Sequence, residues 1–226
     1  MKPFCIVFDL DDTLYLERDY VWSGFSELEP WAKATLGIND FHLKAWALFV
    51  QGVRGHIFDQ VLLAAGVRPD QSTLRAMVDI YRGHVPDIRL TVDAADCLRD
   101  IRRQAHLALI SDGPEQSQRN KVKALGIEER FEKIVLTASL GSEYAKPHVK
   151  SFLDVQEHFG KSVEEYIYVA DNPTKDFLGP RSLGWRTMRI RRPEGLYHSL
   201  EADMIKRADV ETPDLGLLMN AVSRKQ

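Results

Sequence analysis

The chain has 226 residues, 44 % of them apolar and 28 % charged, with a formal net charge of −3. That usage suits a globular core, alone or with a smaller second domain, and excludes a disordered or low-complexity chain. Lys and Arg are dispersed along it, so neither a nucleic-acid groove nor a polybasic membrane patch is expected.

One Lys and a short apolar run open the chain, and Asp9, Asp11 and Asp12 interrupt that run before it reaches signal-peptide length. No stretch approaches the roughly twenty apolar residues of a membrane span. A cytoplasmic protein without membrane association is therefore expected. Cys5 and Cys97 stand far apart with no metal-ligand spacing, and read as buried, reduced thiols.

Residues 4–10 are almost continuously apolar and rich in β-formers, which predicts a strand buried on both faces of a parallel sheet. It ends in the acidic cluster Asp9-Leu10-Asp11-Asp12-Thr13. From residue 19 to 84 the pattern is helical: Val21, Phe25, Leu28, Ala32 and Leu36 recur at three- and four-residue spacing up to Gly37. Further helices are expected over 41–49, 57–65 and 72–81, with no strand between them. They read as an inserted helical domain of about seventy residues.

After Pro86 helix and strand alternate. Helices are expected over 94–103, 115–125 and 148–159, and strands over 106–111, 131–137, 166–170 and 185–190, with a short helix before the last strand. This alternation predicts an α/β fold with a parallel sheet covered by helices on both faces. The core is expected over 1–14 and 87–226 and the helical insert over 15–86. The basic stretch Arg186, Arg189, Arg191, Arg192 reads as a solvated loop at a strand end, and the tail from about Tyr197 as a final packed helix.

Ligands of an open parallel sheet sit at the carboxyl ends of its strands. Four sets of polar residues fall there: Asp9 and Asp11; Ser111 and Asp112; Lys146; Asp171 and Asp176. Together they suit phosphoryl transfer. A carboxylate attacking a phosphate needs a divalent cation and a positive side chain to offset anion repulsion. Magnesium takes hard oxygen ligands, here Asp9 and Asp171 with a backbone carbonyl near Asp11. Lys146 neutralises developing charge, and Ser111 and nearby N–H groups hold phosphate oxygens. Asp11 protonates the leaving oxygen and later deprotonates the attacking water. An EF-hand reading of the first cluster fails, because Leu14 and Tyr20 stand where that loop needs Gly and Glu.

The chain resembles the haloacid dehalogenase-like superfamily through four motifs in order: FDLDDTL at 8–14, LISDG at 109–113, KP at 146–147 and VADNPTKDF at 169–177. The resemblance implies a Rossmann-like core and a helical cap inserted after the first motif. It implies Asp9 as nucleophile, Asp11 as general acid/base, Lys146 as stabiliser of the phosphorylated centre, and Ser111 with Asp112 on the substrate side. Asp9, Asp11 and Asp171 are implied at the magnesium, with Asp176 either a further ligand or a holder of Lys146. Dehalogenase members lack an acid at the position of Asp11, so the resemblance implies a phosphatase for a small phosphorylated metabolite, a sugar phosphate or a nucleoside monophosphate. Phosphoryl transfer to a second substrate and a retired binding scaffold are the alternatives. In the cap, Arg54 and His56 lie in a glycine-flanked turn able to meet substrate, whereas Trp31, Trp46 and Phe49 read as cap core. A monomer or homodimer is expected.

Overall fold

The computed structural model describes residues 4–218. Six strands form one sheet: β1 (Phe4–Phe8), β2 (His106–Ser111), β3 (Lys133–Leu136), β4 (Glu165–Ala170), β5 (Arg186–Ile190) and β6 (Val210–Thr212). Their order is β3-β2-β1-β4-β5-β6, and every pairing is parallel. The α-helices with both ends among the described residues are α1 (Glu17–Leu36), α2 (Phe41–Val50), α3 (Ile57–Ala64), α4 (Gln71–Gly83), α5 (Val92–Ile101), α6 (Glu115–Ala124), α7 (Lys150–Phe159) and α8 (Leu178–Ser182), and residues 216–218 are helical as well. This is the α/β architecture that the alternation predicts. None of the helices is long and apolar enough to cross a membrane.

The chain divides into two compact units, residues 19–88 and the remainder. In the larger one, Cys5, Ile6, Val7 and Phe8 of β1 are all fully buried, with Ile6 opposite Leu107 of β2 and Ile167 of β4. Central placement in the sheet explains the unbroken apolarity of that strand. On one face, Phe152 and Val155 of α7 pack on Tyr168 and Trp185, and Trp185 stacks on Tyr166 at 4.6 Å between ring centroids. The chain winds outward from β1 to β3 and then returns to β4 on the other side of β1. That reversal opens a crevice at the carboxyl ends of β1 and β4.

The 19–88 unit carries four helical segments around an aromatic core of Tyr20, Phe25, Phe41, Phe58 and Tyr81. Asp70 starts α4 by accepting hydrogen bonds from the Ser72 and Thr73 amides, both at 2.9 Å. Trp46 stacks on Phe49 at 5.2 Å.

Two expectations are corrected. The basic stretch is not a solvated loop: Arg189 is fully buried on β5 and Arg192 is 6 % exposed. Arg189 Nε donates to the Asp171 carbonyl at 3.0 Å, and its Nη2 donates to the Tyr197 and Leu200 carbonyls at 2.7 and 2.8 Å. Arg192 donates to the Thr13 carbonyl through Nε and Nη2 and forms a two-pronged pair with Asp93 at 3.0 and 3.1 Å. These bonds also account for the second correction. The tail does not become helical at Tyr197, because Arg189 and Arg191 take the carbonyls of Tyr197, His198 and Leu200 that a helix would need for its own ladder. The segment instead runs irregularly to β6, and residues 219–226 lie outside the described residues.

Gly179 in α8 packs against the backbone that follows Lys146: a Cβ there would stand 2.7 Å from the Pro147 carbonyl oxygen and 2.8 Å from Phe152 Cε2. Gly179→Ala is expected to destabilise the fold by about 1–3 kcal/mol through overpacking. Urea unfolding measures this, and an unchanged midpoint would show that the contact has room to relax.

Candidate active site

The site is built on the crevice between β1 and β4. The Asp9 amide donates to the Val169 carbonyl at 2.8 Å, carrying the β1–β4 pairing one residue past the strand and delivering the Asp9 side chain to the rim. Asp171 follows β4 directly. The next turn is closed by its own side chains: Asn172 Oδ1 accepts from the Thr174 amide at 2.9 Å, and Asp176 Oδ2 accepts from the Asn172 amide at 2.9 Å. The turn brings Asp176 back beside Asp171, and one carboxylate oxygen each of Asp9, Asp171 and Asp176 lies within 4.8 Å of the others.

Lys146 is the counter-charge. Its Nζ stands 2.6 Å from Asp9 Oδ1 and 2.7 Å from Asp176 Oδ1, and donates to the Tyr168 hydroxyl at 3.0 Å. Its own backbone is anchored by Asp112, whose Oδ1 accepts from the Lys146 amide at 3.2 Å and from Thr137 Oγ1 at 2.7 Å. Asp112 Oδ2 meets Lys175 Nζ at 3.2 Å. Asp112 is thus committed to the loop that carries Lys146.

Lys146 in contact, and Lys175 acting from nearby, face the three buried carboxylates and Asp112, which leaves an excess of negative charge. Burial, with the charge of Asp176 added, pushes Asp9 up to about 6 despite Lys146. Burial and the charges of Asp176 and Asp9 push Asp171 well above the carboxylate range. Burial opposes the charge on Lys146, but Asp176 and Asp9 outweigh it and keep the ammonium protonated. A close set of hard oxygen donors carrying uncompensated negative charge fits a magnesium ion. Asp9, Asp171 and Asp176 are the side chains that would hold it. Asp176 thus stands both in the carboxylate cluster and against Lys146.

The carboxylate of Asp11, near which a backbone carbonyl is expected at the magnesium, lies outside this cluster. It turns the other way: Oδ1 accepts from Lys121 Nζ at 2.6 Å and from the Tyr15 hydroxyl, and Oδ2 accepts from Gln118 Nε2 at 2.8 Å. Burial raises its pKa, but the charge of Lys121 and the bonds from Lys121, Tyr15 and Gln118 outweigh it and hold Asp11 below the ordinary carboxylate range. Asp12, beside it, accepts from the Glu17 amide at 2.8 Å and the Leu196 amide at 2.7 Å. It so caps α1 and fastens the loop to a segment much later in the chain.

Gln118 and Lys121 escape a motif search, yet α6 carries a signal for them. It holds no apolar residue from Glu115 to Lys121, so a helix packed on the sheet there must bury a polar face. Ser117, Gln118 and Lys121 are the residues it buries.

Ser111 ends β2 fully buried, and its Oγ accepts from the Gln118 amide nitrogen. In the helical unit, Arg54 is occupied by its own loop: Nη1 donates to the carbonyls of Phe49 and Val53 at 2.8 and 2.7 Å, and the guanidinium lies 4.1 Å from the centre of the Phe49 ring. The side chain of His56 is 79 % exposed, with Asp59 at 4.0 Å.

Residues 6–190 match the family described as haloacid dehalogenase-like hydrolase. A glyceraldehyde 3-phosphate phosphatase from Methanopyrus kandleri is 27 % identical over 221 residues, which is 94 % of this chain and 91 % of the relative. A phosphoserine phosphatase from Thermus thermophilus is 30 % identical over 179 residues, 76 % of this chain and 68 % of the relative. Among solved structures, the HAD-hydrolase YfnB from Bacillus subtilis bound to magnesium shares the fold with a TM-score of 0.70. It is 17 % identical, over 98 % of this chain and 99 % of that one.

The charge imbalance makes a test. Asp9 ionises in the ordinary carboxylate range when unfolded and at about 6 in the fold. Between those values the folded chain binds more protons than the unfolded one, so its stability falls as pH rises. A cation at the cluster offsets that loss where the carboxylates are ionised. Magnesium is expected to raise Tm more at about pH 7.5 than at about pH 5, read by scanning calorimetry. Equal shifts at both pH values would detach the cation from these carboxylates.

Proposed function

The chain belongs to the haloacid dehalogenase-like hydrolase family, and on that footing we propose that it hydrolyses a small phosphate monoester through a phosphorylated Asp9. The observation that carries the reading is the double membership of Asp9. It pairs with Lys146 at 2.6 Å and belongs to the carboxylate cluster with Asp171 and Asp176.

In the first half of the reaction a carboxylate oxygen of Asp9 forms a bond to phosphorus while the bond to the ester oxygen breaks. Asp11 delivers a proton to that leaving oxygen. Asp11 rests as a carboxylate, so the proton enters with the monoprotonated ester, whose second pKa is about 6. In the second half Asp11 takes a proton from water as the water attacks the phosphorus and the bond to Asp9 breaks, which frees phosphate and restores Asp9. Asp11 then gives the proton to solvent and returns to its carboxylate. Lys146 offsets charge at Asp9 throughout, and Ser111 donates to a phosphate oxygen. Bound magnesium supplies charge neutralisation between the carboxylate and the phosphate.

Asp11 separates this reading from dehalogenation, which in this family proceeds without an acid at that position. The two relatives are named for glyceraldehyde 3-phosphate and phosphoserine. Both are three-carbon phosphates without a base, which supports a sugar phosphate or similar small metabolite over a nucleoside monophosphate. Residues 15–86 are assigned the role of a substrate-selecting cap, acting in a cytoplasmic enzyme.

Phosphate release from a panel of sugar phosphates, nucleotides and phosphorylated acids tests the proposal, with magnesium and with excess chelator. Turnover is expected only with magnesium. Asp9→Asn is expected to lower it by at least about a thousandfold while leaving the circular dichroism spectrum unchanged. Substantial activity in Asp9→Asn would remove Asp9 as nucleophile. Turnover that requires a second phosphate acceptor would make the chain a phosphotransferase.

A further inference from the structure

Asp11, Ser111, Gln118 and Lys121 come together from three stretches of the chain, and only Asp11 and Ser111 among them lie in the family motifs. Lys121 and Gln118 sit one helical turn apart on the inner face of α6, 4 % and 1 % exposed. Burying an ammonium and a primary amide is costly unless their hydrogens are spent on acceptors. Both spend them on Asp11: Lys121 on Oδ1 at 2.6 Å and Gln118 on Oδ2 at 2.8 Å. With a donor fixed on each oxygen, the carboxylate cannot turn about its Cβ–Cγ bond. Its side chain nevertheless keeps 19 % exposure, against 5 % for Lys121, so the clamp holds an accessible group from its buried side.

Gln118 has a second use. Its amide nitrogen carries two hydrogens, one to Asp11 Oδ2 and one to Ser111 Oγ. An ionised carboxylate only accepts, which settles that the nitrogen of the amide, not its oxygen, faces Asp11. Ser111 then accepts from Gln118, and its own hydroxyl hydrogen is directed elsewhere, as phosphate binding requires. Gly113 makes room for this arrangement: its φ is 131°, and a Cβ there would stand 3.3 Å from Gln118 Cδ.

We propose that Gln118 and Lys121 are positioning residues that lock Asp11 in line with the leaving oxygen, Gln118 also aiming the Ser111 hydroxyl at the phosphate. The proposal rests on the reading of Asp11 as general acid. If Asp11 is held for proton delivery, loosening it must slow esters whose leaving group needs the proton and spare those whose leaving group does not. A structural role for the two residues would lower both alike.

The probes are phenyl phosphate and 2,4-dinitrophenyl phosphate, which place similar rings on leaving groups of very different acidity. The quantity is kcat/KM with magnesium present, since it ends at departure of the phenol and leaves out the second half-reaction. For Lys121→Met the expected loss is about 100-fold on phenyl phosphate and under about threefold on the dinitrophenyl ester, with Lys121→Arg recovering most of it. Gln118→Leu is expected to add to the same selective loss a smaller one common to both esters, since it also frees Ser111. Equal losses on the two esters, or none, would overturn the proposal. If Gln118→Leu does not fold, Lys121→Met reads the other oxygen of Asp11 in the same way. Absence of magnesium-dependent turnover in the wild type, or its persistence in Asp9→Asn, would instead sink the underlying reading and the proposal with it.

Discussion

The site depends on one buried ammonium set against three buried carboxylates. Lys146 pairs with Asp9 and with Asp176, and both partners are themselves almost without solvent. Isolated charges at such depth are untenable, and an unequal set is sustained only by further counter-charge. The fold therefore carries a standing demand for a cation at Asp9, Asp171 and Asp176. Much of the surrounding hydrogen bonding secures the two loops that meet there. Asp112 and Thr137 hold the loop bearing Lys146, and Asn172 with Thr174 folds the turn bearing Asp176. The parallel sheet supplies the meeting place, because reversal of winding at β1 leaves its carboxyl end and that of β4 uncovered by a crossover.

Opposite the cation cluster stands a second arrangement of the other sign. Asp11 is two residues from Asp9, yet its surroundings drive its protonation the opposite way. Burial and neighbouring carboxylates raise Asp9, whereas Lys121 and three hydrogen bonds lower Asp11. Two carboxylates two residues apart are thus held in environments that favour different protonation states. The separation is made by α6 rather than by the loop that carries both acids.

Much of this was legible in the order of residues. Asp9 and Asp171 stand directly after an apolar strand and Ser111 ends one, where alternation of strands and helices predicts a ligand rim. The Lys146–Pro147 step falls between strand and helix in the same series. Other features give at most an indirect sign. Gln118 and Lys121 sit in a helix so polar that it reads as solvent-facing, and only packing on the sheet shows which of its polar residues turn inward. Arg189 and Arg192 belong to a run of charge that ordinarily means exposure. Their partners are carbonyls at Thr13, Asp171, Tyr197 and Leu200, and backbone acceptors leave no trace in side-chain identity. β6 is three residues, VET, at the sheet edge, too short for its alternation to register.

The fastening of the first acidic loop has a consequence for how the chain comes into being. Thr13 is held by Arg192 across 179 residues, and Asp12 by Leu196 across 184. Contacts of that separation close late, after most of the loop entropy has been spent. During synthesis Asp9 leaves the ribosome long before Arg192 and Leu196, which brace its loop. The nascent chain can therefore pair its early strands and fold its helical insert while the acidic loop still lacks its brace. Arrival of Arg192 and Leu196, rather than pairing of the early strands, is the event that fixes the acidic loop.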